Sequence, residues 1–132
     1  LRRQYLLEHI DAKVVEKTES SFSIVIDAVG FGSTRAVASQ LVSPGGVIAH
    51  VGLGDNTNGL DVRRITLQEI TFIGTYTYTA QDFKDTAEAL FAGRLGTLDW
   101  IEKRPLSEGE SSFQDLRRNK VAAPKIVLKP WQ

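Results

Sequence analysis

Residues 22–54, FSIVIDAVGFGSTRAVASQLVSPGGVIAHVGLG, decide the fold. Ser23-Ile24-Val25-Ile26 is a short, nearly continuous apolar run, the pattern of a strand covered on both faces. Asp27-Ala28-Val29-Gly30 ends it. Ser33 or Thr34 is placed to cap a helix whose apolar positions are Val37, Ala38 and Leu41. Ser43-Pro44-Gly45-Gly46 stops that helix, and Val47-Ile48-Ala49-His50-Val51 is a second apolar strand that turns at Gly52-Leu53-Gly54. Two buried strands joined by a crossover helix make a right-handed parallel unit. Ligands of open α/β sheets bind at the carboxyl ends of such strands. Both ends here are rich in glycine.

On either side the pattern is weaker. Residues 1–10 read as a helix with Tyr5, Leu6 and Ile10 on one face, and Ala12-Lys13-Val14-Val15 as a weak strand. Residues 55–59 read as a surface loop, 60–62 as an extended piece, and 65–69 as at most one helical turn. Residues 70–76, β-branched and aromatic, predict a third strand. A helix follows to Ala92, with Phe83, Ala87, Leu90 and Phe91 at helical spacing and Gly93 in the place of a terminating glycine. Around Trp100-Ile101 the reading is extended chain. Residues 108–118 read as an amphipathic helix with Phe113 and Leu116 inward, and residues 125–128 as a closing strand.

The bulk numbers exclude several functions. The chain has 132 residues, with 16 Lys plus Arg against 16 Asp plus Glu, so it lacks the basic footprint of a nucleic-acid or anionic-membrane binder. No apolar run spans a bilayer. With no cysteine, disulfides, thiolate metal sites and thiol nucleophiles are excluded. A cytoplasmic protein fits. The chain begins at Leu1 and has no methionine, and the expectation is a fragment of a longer polypeptide.

Five segments stand in a recognisable order: IDAVG (26–30), PGGVIAHVGL (44–53), LQEITFIGTYTYTAQDF (67–83), PLSEGESSFQDL (105–116) and PKIVLKP (124–130). In that order and spacing the chain resembles the carboxyl-terminal part of the medium-chain alcohol dehydrogenase/reductase superfamily, nearest its zinc-type polyol dehydrogenase branch. The resemblance implies an α/β fold: the later half of a Rossmann-like parallel sheet with flanking helices over residues 1–97, then a segment returning to the catalytic domain over 98–132. Ile24, Val47 and Phe72 would lie on adjacent strands.

It also implies a parent that uses NAD or NADP on a small alcohol. Ala28, Val29 and Gly30 would line the cofactor cleft. Val51, Gly52 and Leu53 would flank the nicotinamide, Thr75 and Tyr76 would complete that wall, and Lys125 would stand near the pyrophosphate. The same glycines read plainly as structural, and Lys125 as an edge-strand lysine that blunts pairing. No catalytic group and no zinc ligand is expected in this chain, although the parent could carry zinc. Strand 70–78 would pair across a two-fold axis in a homodimer.

Three constellations have plainer readings. Gly30-Phe31-Gly32-Ser33-Thr34-Arg35 begins like a dinucleotide fingerprint, with Asp55 downstream as its acid, but Arg35 holds the third glycine position. It reads as a tight strand-to-helix turn. His9 and His50 are too far apart, and too few, for a metal site, and His50 reads as packed near a strand end. Asp27 reads as an acceptor for loop backbone. The alternative to the dehydrogenase reading is a small stand-alone α/β module for nucleotide binding or assembly, built on the Gly30–Arg35 turn and Asp55.

Overall fold

A computed structural model describes residues 1–131. The chain divides into two compact units, one made of Leu1–Glu16 and Asp82–Gln132, the other of Lys17–Gln81.

The Lys17–Gln81 unit is built on three parallel strands in the order β1 (Phe22–Asp27), β2 (Val42–His50), β3 (Thr71–Gly74). Ile24 pairs with Val47 and Val25 with Ile48, while Val47 pairs with Thr71 and Ile48 with Phe72. The three expected strands therefore run side by side in one direction. Helix α2 (Gly32–Leu41) makes the crossover from β1 to β2, and α3 (Val62–Leu67) the one from β2 to β3. Ala38, Val42, Ile48 and Ile70 form the buried core, with Val25 and Ile65 packed against it.

Strand pleating sends alternate side chains to opposite faces. Val25 and Ile48 therefore join the core. Ile24 and Ile26, on the other face, remain 65% and 67% exposed. This corrects the reading of β1 as covered on both faces. Only one face of the sheet is covered by α2 and α3, so β1's continuous apolar run over-reports its burial within this chain.

Local chemistry explains the element ends. Phe31 is the N-cap of α2, not Ser33 or Thr34, and the Thr34 hydroxyl instead accepts the Phe31 N–H at 3.0 Å. Strand β2 starts at Val42, five residues earlier than expected, and runs irregularly through Pro44-Gly45-Gly46. Gly45 has φ 69°, and its N–H donates to the Gln68 carbonyl. In α3, the Asp61 carboxylate caps the Arg64 N–H at 2.8 Å. The Arg64 guanidinium then donates to the carbonyls of Ser39 and Val42 at the end of α2, where a cation also suits the helix dipole. The capping aspartate was the sequence signal for α3, and residues 60–62 are not an extended piece.

The other unit carries α1 (Arg2–His9), most of α4 (Ala80–Phe91) and a separate parallel pair, β4 (Ile101–Pro105) with β5 (Lys125–Lys129), joined through a 3-10 turn and α5 (Gly109–Arg117). Residues 12–15 form no strand. Gly93 ends α4 with φ 70°, as its position suggests. In α5 the buried side is Ser112 with Leu116 half-buried, whereas Phe113 is 69% exposed and does not point inward as expected. Arg104 on β4 reaches Asp115 at 3.0 Å and Glu102 at 2.7 Å, and these acids push its guanidinium pKa further up.

Candidate functional site

Parallel strands end on the same edge of a sheet, so the turns after β1, β2 and β3 meet. They are stitched to one another by backbone bonds. The N–H groups of Val51 and Gly52 donate to the Asp27 carbonyl at 2.9 and 3.0 Å. Gly54 donates to Val29 and Asp55 to Gly30, both at 3.1 Å, and Thr75 donates to His50 at 2.9 Å. Ala28, Val29, Gly30, Val51, Gly52, Leu53, Thr75 and Tyr76 thus share one edge. Lys125 lies in the other unit, exposed at the first position of β5 opposite Ile101.

The glycines of this edge are explained by the chain itself. A Cβ on Gly30, whose φ is 78°, would lie 2.2 Å from the Gly52 carbonyl, and a Cβ on Gly52 would lie 2.2 Å from Val29. The first two turns therefore touch backbone to backbone. Around them Val29, Val51, Leu53 and Tyr76 form an exposed apolar ledge, with Leu53 80% and Tyr76 78% accessible. Thr77, just beyond Tyr76, has φ 55°. A β-branched residue is strained there, by about 1–3 kcal/mol.

Asp27 anchors the first turn from below and is 5% exposed. Its Oδ1 accepts the N–H groups of Val29 and Gly30, and its Oδ2 accepts the Thr34 hydroxyl at 3.0 Å. Its expected role as a backbone acceptor is what the geometry shows. Burial raises the Asp27 pKa, but the Gly30 and Val29 N–H groups, Thr34 and His50 together hold it below the ordinary value. The His50 Nε2 lies 3.7 Å away, and the imidazole tilts against Phe72 with ring centroids 5.5 Å apart. His50 is thus packed near the strand end, as expected.

The Gly30–Arg35 turn is closed by the chain's own charges. Asp55 Oδ1 accepts the Gly32 N–H at 3.0 Å, the Thr57 N–H and hydroxyl, and Arg35 Nη2 at 2.8 Å. Arg35 Nη1 donates to the Gly30 carbonyl at 2.7 Å, and Nη2 also donates to the Thr57 carbonyl. Burial raises the Asp55 pKa, but Thr57, Arg35 and Gly32 outweigh that and lower it. The carboxylate occupies the start of α2, where an anion would otherwise sit. This is a tight strand-to-helix turn with an internal clasp. Sequence reasoning judged Arg35 and Asp55 only as faulty parts of a fingerprint and missed that they pair.

A dinucleotide can be tested against this donor set. The apolar ledge fits a flat ring lying at the strand ends. The phosphates find no free helix start at α2, because Asp55 fills it. Among the described residues no group of three or more His, Cys, Asp or Glu side chains is arranged to hold a metal ion. Nor is any helix among them long and apolar enough to cross a membrane.

With this geometry the comparisons with known proteins agree. The zinc-binding dehydrogenase family matches residues 4–92, more than half of the chain. The chain belongs to that family. It thereby falls within the medium-chain dehydrogenase/reductase superfamily, whose resemblance the sequence carries. The sorbitol dehydrogenase of Bombyx mori is 27% identical over 129 residues, which cover 97% of this chain and 36% of that enzyme. The L-idonate 5-dehydrogenase structure from Escherichia coli superposes with a TM-score of 0.71 at 20% identity, covering 83% of this chain and 32% of that one. The acetophenone reductase of Geotrichum candidum, solved in complex with NAD, gives 0.70 at 18% identity over 90% of this chain and 34% of that one. The two structural likenesses speak to the fold alone. The chain spans about a quarter to a third of the length of the curated relatives it matches.

Proposed function

We propose that this chain is the carboxyl-terminal part of an NAD(P)-dependent alcohol or polyol dehydrogenase, and that it supplies one wall of the cofactor cleft. The observation that carries this is the shared edge of three parallel strands, with its exposed ledge, in a member of a dehydrogenase family. When bound, the cofactor accepts or donates hydride, and the protein's part is binding and orientation. Val29, Val51, Leu53 and Tyr76 would hold the nicotinamide ring by apolar contact and keep water from it. Ala28, Gly30, Gly52 and Thr75 would bring backbone and small side chains close beside it. Lys125 would act as a point charge toward the pyrophosphate. In this reading residues 1–97 belong to the nucleotide-binding domain and 98–132 to the catalytic domain. Any zinc would be held by residues outside this chain. The protein is cytoplasmic and pairs with a second copy through residues 70–78, of which Thr71–Gly74 form the strand β3.

The 132 residues alone should not turn over substrate. They should bind dinucleotide weakly or not at all, since Asp55 fills the start of α2 and in this reading the phosphate-binding helix start is supplied by residues outside this chain. The complete gene product should bind NAD or NADP and oxidise polyols or simple alcohols. Calorimetry and a reduced-nicotinamide absorbance assay on both proteins test this. Micromolar affinity in the 132-residue chain, or none in the complete gene product, would overturn it. The stand-alone nucleotide-module reading is disfavoured by Asp55, which already occupies the turn that such a module would use.

A further inference from the structure

We propose that Arg35 and Asp55 are positioning residues: their clasp locks the loop after β2 onto the start of α2 and so sets the Val51–Gly52–Leu53 turn that faces the cleft. The naming of the cleft rests on the function proposed above, whereas the lock itself does not. Arg35 is the more buried partner, with its side chain 11% exposed against 31% for Asp55. The guanidinium bridges both turns, since it holds the Gly30 carbonyl after β1 and the Asp55 and Thr57 carbonyls after β2. The loop also closes sterically over the helix start, where a Cβ on Gly59 would lie 1.9 Å from the Gly32 carbonyl. Leu53 sits two residues before Asp55, and the intervening Gly54 bonds Val29. Loosening the clasp therefore frees the ledge at its most exposed apolar side chain.

The test uses D55N, which keeps the shape and removes the charge, together with R35A and D55A. Amide hydrogen exchange is followed at two sets of sites. The Gly32 and Thr57 amides touch the Asp55 side chain, so they respond to any loss of its carboxylate. The Val51, Gly52, Gly54 and Asp55 amides bond only backbone, and they respond only if the turn itself is held by the clasp. Exchange in the second set should quicken about tenfold in D55N and R35A, the scale of one lost charge-assisted hydrogen bond. Formate added to D55A should restore the protection by occupying the vacated carboxylate site. In the complete gene product the same variants should raise the KM for dinucleotide about tenfold while leaving kcat within about twofold, as loss of uniform binding does.

Unchanged exchange in the second set would overturn the lock. Quickened exchange with an unchanged dinucleotide KM would overturn its positioning role. A wild-type gene product that binds no dinucleotide would overturn the function reading instead, and the exchange data would still decide the lock.

Discussion

At the scale of single residues, the most informative groups are those held away from their ordinary behaviour. Asp27 is ionised in the folded state at pH values where the unfolded chain would begin to bind a proton. Its contribution to stability is therefore complete above its ordinary value of 3.8 and is lost as pH falls through the lowered folded value. Urea denaturation between pH 2 and 7 should show an acid limb below about pH 4, and D27N should be less stable at neutral pH with a shallower limb. Thr77 supplies the opposite case, a residue in a conformation it resists. T77G should raise stability by about 1 kcal/mol in the same denaturation assay, because glycine enters the left-handed region without the Cβ clash. Much at this scale was legible in the sequence: Asp27 as backbone acceptor, Gly93 as helix terminator, the Gly30–Arg35 segment as a tight turn. The Arg35–Asp55 pair was not, because nineteen intervening residues separate two charges that only the crossover brings together.

Among elements, the parallel β1–β2–β3 order was legible because apolar runs, glycine ends and one amphipathic helix agree with each other. The failures have a common cause. A strand's apolar run states what it can bury, not what covers it, and so Ile24 and Ile26 were read as core although both face outward. Helix α5 was oriented by its largest apolar residue, Phe113, which stays largely exposed, while the buried position is Ser112, whose hydroxyl accepts from Arg104 of β4 at 3.3 Å. The exposure of β1 makes its own prediction. I24T/I26T should change unfolding free energy by no more than about 0.5 kcal/mol, as for surface positions, yet should reduce binding of a hydrophobic dye.

For the whole molecule, the three-stranded sheet of the Lys17–Gln81 unit ends in β1 and β3, which pair with no further strand among the described residues, and unpaired edges recruit partners. Sedimentation velocity should show a dimer or larger species, and I73K on β3 should shift it toward monomer, since an edge lysine opposes strand pairing. A wild-type monomer at high concentration would contradict the proposed pairing through β3 and the residues that flank it.

The contact between Gly30 and Gly52 has a consequence for how this protein can vary. Neither position can accept a side chain, and no change at one makes room at the other, because each meets main chain. A saturation library screened for soluble expression should thus find this pair as intolerant as Ile48, although it contributes no side chain to any core, while Gly74, whose Cβ would meet nothing within 4 Å and whose φ is not positive, should accept substitution far more readily. The spot where two turns press together would be the least mutable point on an otherwise permissive rim.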